Sequence, residues 1–322
     1  MRVLVTGGAG YIGSHLADRL LAEGHNVVVV DNLSLGKVAN IQHNLENSRF
    51  RFVEGDVLDA HLIGDLVDEC DAIYHLAAVV GVKHVLNDPL QTMMTNVWGT
   101  GVVLEAATRC SRRAVLASSS EVYGKGVATP LAEGSDRVLG ATHVSRWCYA
   151  TGKALDEHLA LAYHRQKGLP VSIVRYFNSY GPRLDPQGYG SVIAKFVNQA
   201  LDGEPITVHD DGQQSRCFTY IDDTVEGTVL AATADGANGE VLNIARAEET
   251  TIRQLAETVR DMTGSSAEIV SVPYQAEYGE LFEDTRRRVP DVEKARKVLD
   301  FEAQVPLVKG LERTISWFRN MR

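Results

Sequence analysis

The sequence predicts an α/β protein built on a doubly wound parallel sheet, and three patterns carry that prediction. The apolar run Val3-Leu4-Val5 leads into Thr6-Gly7-Gly8-Ala9-Gly10-Tyr11-Ile12-Gly13, and Ile12, Leu16 and Leu20 then start a helical stripe. Strand and helix signals alternate after it, which implies parallel strands joined by helical crossovers. The next apolar run, Asn26 to Val30, ends in Asp31, 18 residues past Gly13.

The glycines have separate tasks. Gly7 permits a tight reversal, Gly10 lets backbone N–H groups approach a pyrophosphate, and Gly13 lets the helix pack close to the sheet. The helix N-terminus then faces the anion. Alone, the triplet is an ordinary strand-turn-helix corner. Asp31, placed to accept from adenosine ribose hydroxyls, turns the combined pattern into a dinucleotide site.

The totals narrow the alternatives. A chain of 322 residues accommodates one large α/β unit or two closely joined domains. With 42 acidic and 32 basic residues the net charge is −10, which argues against a nucleic-acid partner and requires local arginines to hold any anionic ligand. No apolar run is long enough to span a membrane and the N-terminus runs straight into a strand, so a cytoplasmic chain without a signal peptide is expected. Cys70, Cys110, Cys148 and Cys217 lack C-x-x-C spacing and read as packing residues.

In order, the pattern predicts a strand at 26–31, a helix within 37–46, a strand at 51–54, a helix over 58–70 and a strand at 71–76. Gly55-Asp56-Val57 is placed to seat adenine, with Asp56 either accepting from its amino group or capping the next helix. Leu76, Ala77 and Ala78 supply small residues beside the cofactor, and His75 reads as a satisfied structural histidine. A long helical stretch over 89–110 carries Asn96 and Trp98, and a strand at 114–117 follows. Helices at 192–201 and 252–262, a strand at 206–209 and a strand at 239–245 returning to the main sheet complete the prediction.

The chemistry falls at two places. Ser118-Ser119-Ser120-Glu121-Val122-Tyr123-Gly124 puts hydroxyls and a carboxylate at a strand's carboxyl end, although a Ser-rich turn capping its own backbone reads equally well there. Tyr149 and Lys153 follow, four apart in a predicted helix and so on one side of it. A free phenol has a pKa near 10, too high for a base at neutral pH, and a nearby ammonium or an oxidised nicotinamide stabilises the phenolate. Ser119 would hold the hydroxyl that Tyr149 deprotonates. Tyr-x-x-x-Lys is common as a surface pair, so its meaning depends on the motifs before it.

Together these features resemble the extended short-chain dehydrogenase/reductases that act on nucleotide-diphosphate sugars. T-G-x-x-G-x-x-G, D-N-L-S-x-G-K (Asp31 to Lys37), H-L-A-A, the Ser-rich V-Y-G strand end, Y-x-x-x-K, R-Y-F-N-x-Y-G-P-R (Arg175 to Arg183) and R-C-F-T-Y-I-D-D (Arg216 to Asp223) all occur in family order. The resemblance implies a Rossmann sheet over 1–178, with 217–246 returning to it, and a smaller interleaved α/β substrate domain over 179–322. It implies resident NAD, with Gly7, Gly10, Tyr11, Ile12, Gly13, Asp31, Asn32, Ser34, Lys37, Asp56, Val57, Leu76, Ala77, Ala78, Asn96 and Tyr176 around it beside Tyr149 and Lys153. Ser119, Tyr149 and Lys153 form the implied catalytic set, Asn178, Arg183, Val192 and Arg216 the implied substrate contacts, and the helices at 89–110 and 151–167 an implied homodimer interface.

Three sugar chemistries begin alike, by oxidising a hydroxyl: 4-epimerisation, 4,6-dehydration and decarboxylation. The related dehydratases usually carry T-D-E at this strand end, and here Ser120 replaces the Asp. Ser119-Ser120-Glu121 looks more like the T-S-E of UDP-glucuronate decarboxylases, with Ser in place of Thr. Tyr278-Gly279 and Arg286-Arg287-Arg288-Val289-Pro290-Asp291 resemble their late R-x-P segment, which places Arg288 near the sugar; the bland alternative is a surface run balanced by Glu280, Glu283 and Asp284. The expectation is therefore decarboxylation of UDP-glucuronate, with catalytic roles for Ser120, Glu121 and Arg288. A UDP-sugar 4-epimerase is the alternative, and a non-enzymatic NAD sensor is disfavoured by the intact Tyr149 and Lys153.

Overall fold

A computed structural model describes residues 1–126, 128–185, 191–278 and 283–322. Its centre is a parallel sheet of β1 (Arg2–Thr6), β2 (Asn26–Asp31), β3 (Phe50–Glu54), β4 (Ala72–His75), β5 (Arg113–Ser119), β6 (Val171–Tyr176) and the later strand Val241–Ile244. Across the sheet the order is Val241–Ile244, β6, β5, β4, β1, β2, β3. The chain thus runs outward from β1 in one direction, then restarts beside β1 at β4 and runs outward in the other. That reversal opens a crevice at the carboxyl ends of β1 and β4, where such sheets take their ligands.

Both faces of the sheet are covered, so its strands are apolar on both sides. Val3, Val5, Val27 and Val29 face helices α1 (Tyr11–Ala22) and α8 (Ile221–Thr233), where Leu16, Leu20 and Val225 meet them. Leu4, Val28 and Val30 face α2 (Ala60–Asp68) and α5 (Gly99–Arg109), whose Leu66, Val67, Val103 and Leu104 fill the second layer. Asp59 caps α2 by accepting from the His61 and Leu62 amides. α6 (Arg146–Lys167) packs on this second face and stops at Gly168, whose φ of 73° is left-handed.

Two predicted elements take a different form. The stretch expected as a helix within 37–46 contains only short 3₁₀ turns, Val38–Asn40 and Gln42–Asn44. Its asparagines bond elsewhere, Asn40 to the Ala9 carbonyl and Asn44 to Asp18, and such side-chain bonds compete with helix formation. The helix over 89–110 is broken up into α4 (Pro89–Met93), a π turn at Met94–Trp98, and α5.

The remaining chain adds α7 (Val192–Asp202) and α9 (Ile252–Thr263), whose buried Ile193, Phe196, Leu255 and Val259 belong to the same apolar cluster as α1. A small three-stranded sheet pairs Ser215–Cys217 with Glu249–Thr251 and Arg287–Arg288. Its register sets Arg288 directly beside Arg216. Among the described residues no helix is long and apolar enough to cross a membrane, and the four cysteines are free.

Candidate active site

A cleft of about 450 Å³ runs along the carboxyl edge of the sheet from the glycine turn to Arg288. At its first end Gly7 has φ of 70°, and a Cβ there would lie 2.7 Å from the Ala77 amide nitrogen. A Cβ on Gly13 would collide with the Gly7 carbonyl, so α1 approaches the turn as closely as glycine allows. No acidic side chain occupies the first turn of α1. Asp31 accepts from the Ala9 amide at 3.0 Å and the Leu33 amide at 2.8 Å. Burial pushes its carboxyl up, and these amides pull it back.

This end of the cleft fits NAD. A diphosphate would meet the start of α1, and Asp31 retains oxygen lone pairs for a ribose. Tyr11, Ile12, Asn32, Ser34, Lys37, Val57, Leu76, Ala77, Ala78 and Tyr176 line the cleft, as do Gly7, Gly10 and Gly13. Asp56, Asn96 and Val192 are not among the lining residues, and their side chains have other work. Asp56 accepts from the Leu58 amide and from Asn32. Asn96 clamps Val79, accepting from its amide at 2.7 Å and donating to its carbonyl at 3.1 Å. Val192 opens α7 behind the lining residue Ser191.

β5 and α6 carry the predicted reacting groups into the middle of the cleft. Ser119 ends β5, and its Oγ accepts from the Glu121 amide at 3.2 Å. Ser120 is buried on the same wall. Tyr149 and Lys153 come from one side of α6, as their spacing predicts. Burial pushes the Tyr149 phenol above its ordinary range, the Glu121 charge adds to this, and a hydrogen bond with Ser119 opposes it. The expected lowering of the phenol by Lys153 is not found. The lysine Nζ donates to the Ala117 carbonyl and to Asp156 Oδ2, both at 3.1 Å, so a carboxylate takes up its charge. His75 is the satisfied histidine expected: Thr6 and Thr100 flank its ring nitrogens, and burial with the Lys153 charge holds it at about 3.

The far end is made of ion pairs. Arg288 Nη1 donates to Glu121 Oε1 at 2.8 Å, and Arg146 Nη2 reaches Glu121 and Asp284 at 3.3 Å each. Arg216 Nη2 reaches both Asp284 oxygens, at 2.9 and 2.8 Å, and Tyr274 donates to Asp284 at 2.5 Å. Burial would raise both carboxyls, yet the neighbouring guanidinium charges hold Glu121 and Asp284 at about 2. Three guanidiniums therefore face two carboxylates, leaving a local positive surplus in an acidic protein.

Arg288 is only 4% exposed, and its Nε and Nη2 are buried with no hydrogen-bond partner. Those two atoms form the parallel donor edge of a guanidinium, the edge that grips a carboxylate or phosphate with two bonds. Arg175 uses the same edge on Glu157, at 2.9 and 2.6 Å. Arg286 and Arg287 are exposed, as a surface run predicts, but their partners are Asp211 and Glu249, while Glu283 pairs with Lys125 and Asp284 with Arg146 and Arg216. Gly279 and Glu280 lie outside the described residues.

Asn178 and Arg183 also line the cleft, each with positive φ, at 39° and 66°. Asn178 donates to the Cys217 carbonyl, and Arg183 bonds Asp18 while its Nη1 is buried without a partner. Arg216 stands behind Asp284 and does not line the cleft. Sequence reasoning missed Arg146 and took Asp284 for surface charge. Arg146 sits one turn before Tyr149, a spacing that placed it on the same side of the helix.

A phenol and a lysine at the carboxyl edge of such a sheet share one cleft with a dinucleotide cradle. The chain is an enzyme of the short-chain dehydrogenase/reductase class. More narrowly, it belongs to the GDP-mannose 4,6-dehydratase family, which it matches over residues 4–314. It is 43% identical to a UDP-N-acetyl-α-D-glucosaminuronate decarboxylase of Bacillus cytotoxicus, over 99% of this chain and 98% of that one. Identity to UDP-glucuronic acid decarboxylase 1 of Xenopus tropicalis is 38%, over 99% of this chain and 72% of that one. In structure it is similar to the UDP-glucuronic acid 4-epimerase of Bacillus cereus, solved with UDP-glucuronic acid and NAD, with a TM-score of 0.90, 31% identity and all of both chains covered.

Proposed function

We propose that this chain is an NAD-dependent decarboxylase of UDP-glucuronate. The observation that carries the reading is the unpaired Nε/Nη2 edge of Arg288, a buried residue that lines the same cleft as Tyr149. A neutral hexose offers that edge no anion, whereas the C6 carboxylate of a hexuronate fits it with two bonds. Relatives named as UDP-hexuronate decarboxylases, aligned over nearly the whole of this chain, support the same assignment.

NAD supplies the acceptor for the C4 hydride. Ser119 orients the C4 hydroxyl and Tyr149 takes its proton, leaving a ketone β to the C6 carboxylate. The C5–C6 bond then breaks, carbon dioxide departs, and the electron pair passes into an enolate. The ionised Glu121 disfavours the substrate's charged carboxylate, while Arg288 holds it in place and steadies the enolate as charge moves onto oxygen. Protonation of the enolate at C5 gives a UDP-4-keto-pentose; return of the hydride to C4, with a proton from Tyr149 to the C4 oxygen, gives UDP-xylose. Asp31 excludes the 2′-phosphate of NADP, Asn178 and Arg183 serve the nucleotide diphosphate end, and Arg216 acts from behind the cleft by holding the Asp284 carboxylate.

A 4-epimerase is the second reading, favoured by the likeness to the Bacillus cereus enzyme. Mass spectrometry of the sugar nucleotide separates the two. Incubation with NAD and UDP-glucuronate, or its 2-acetamido analogue, should yield a product lighter by one carbon dioxide. An unchanged mass with C4 inverted hands the assignment to the epimerase.

The working unit is proposed to be a cytoplasmic homodimer joined through the α4–α5 helix pair and α6. Leu90 and Trp98 are 72% and 60% exposed on the first, and Leu155 is 42% exposed on the second. Such an apolar stripe suits a partner surface. A Trp98→Glu substitution should shift sedimentation toward the monomer.

A further inference from the structure

Lys153 is paired before any substrate arrives. Its Nζ bonds Asp156 at 3.1 Å, three residues along α6, and Asp156 is fully buried. Opposite charges this close bind each other's fields, so less of the ammonium's field reaches a neighbouring phenol. Burial pushes the Asp156 carboxyl up, while the Lys153 charge and the nearby Thr100 hydroxyl pull it back. That hydroxyl also bonds His75, whose other nitrogen bonds Thr6 at the head of the glycine turn. Thr100, next to the pair, is in this way joined to β4 and β1.

We propose that Asp156 is a positioning residue for the oxidation step: its carboxylate takes up the charge of Lys153 and so sets the pH at which Tyr149 accepts the substrate's proton. The other charged groups around this pair are already engaged. On α6, Glu157 is bound by Arg175 of β6 and by Ser118 of β5. His75 of β4 is neutral. Glu121, after β5, is held by Arg288 and Arg146. Asp156 is the carboxylate that bonds Lys153, and its charge, like that of Glu121, works against the Tyr149 phenolate.

An Asp156→Asn substitution keeps an acceptor oxygen for Lys153 and removes the negative charge. Restoring the lysine's field should stabilise the phenolate and move the acid limb of the rate profile to lower pH by about one pH unit. Well below the parent limb this is about a tenfold faster oxidation at equal pH, expressed in kcat with little change in KM. The readout is single-turnover appearance of reduced-nicotinamide absorbance across the acid limb. Thr100→Val, which removes the hydroxyl but no charge, should move the limb the same way by less, and carries the test if the Asn variant fails to fold.

The inference rests on the oxidation step assigned above. That step is shared by decarboxylation and epimerisation, so the limb is read on whichever UDP-sugar the parent oxidises. Loss of the decarboxylase reading then shows in the product, and loss of this inference in the limb. A limb that stays at the parent pH, or moves upward, overturns the role of Asp156.

Discussion

The two ends of the cleft are built in opposite ways. The cofactor end is made of backbone: a glycine turn, a helix start and the small residues Ala77 and Ala78, with Asp31 as its main charge. Its residues come in short local runs at the carboxyl ends of neighbouring strands: the glycine turn, the segment from Asp31 to Lys37, Val57, and Leu76 to Ala78. The sugar end is made of side chains, in which Glu121, Arg146, Arg216, Asp284 and Arg288 converge from distant segments. Backbone cradles tolerate many ligands that share a diphosphate, whereas a buried set of charges demands one particular arrangement of anions. Specificity is therefore expected at the second end and affinity for the cofactor at the first.

The comparison breaks most sharply at the point where the two ends meet. Tyr149→Phe should lower C4 oxidation by about a thousandfold, the scale of a lost general base, while calorimetric binding of NAD and UDP-sugar survives. Turnover near the parent rate would place the base elsewhere. Asp284→Asn should cost about 3 kcal/mol, because Arg216 and Arg146 lose a buried partner, and thermal unfolding would register it.

The same ion pairs give the sugar end an acid sensitivity. Glu121 and Asp284 hold their protons less tightly in the folded protein, at about 2, than carboxyls of an unfolded chain. Their contribution to stability is present above the ordinary carboxylate range, near about 4, and fades as pH falls from there toward about 2. Denaturant midpoints should drop over that window, and the drop should shrink in Glu121→Gln.

Smaller effects belong to the cofactor end. The parent should bind NAD at least about tenfold more tightly than NADP, and Asp31→Asn should narrow the gap. Equal affinities in the parent would remove Asp31 from its role. Smallest of all is the exposed Lys37–Asp185 pair at 3.2 Å, and Lys37→Ala should change unfolding stability by less than about 1 kcal/mol.

This contrast also explains what could be read in advance. The sheet, the glycine turn and Asp31 are local patterns, so strands such as 26–31 and 206–209 match their predicted limits. The helix expected within 37–46 fails because Asn40 and Asn44 spend their side chains on distant partners that no local pattern contains. Asn96 sat in the right motif, yet its amide is committed to Val79. At the sugar end, Glu121 and Arg288 were found through a resemblance, and the structure brings them to 2.8 Å across 167 residues of sequence. Asp156 and Asp284 were out of reach, since pairing between buried charges depends on packing that spacing alone does not specify.

The most direct measurement compares binding of UDP-glucuronate and UDP-glucose to the NAD-loaded parent and to Arg288→Lys, by titration calorimetry. If the unpaired edge of Arg288 receives the sugar carboxylate, the parent should prefer UDP-glucuronate by about tenfold or more. The lysine, which keeps the charge but loses the two-pronged edge, should erase most of that preference without weakening UDP-glucose. A parent that binds both sugars equally, or a preference that survives in Arg288→Lys, would contradict the account.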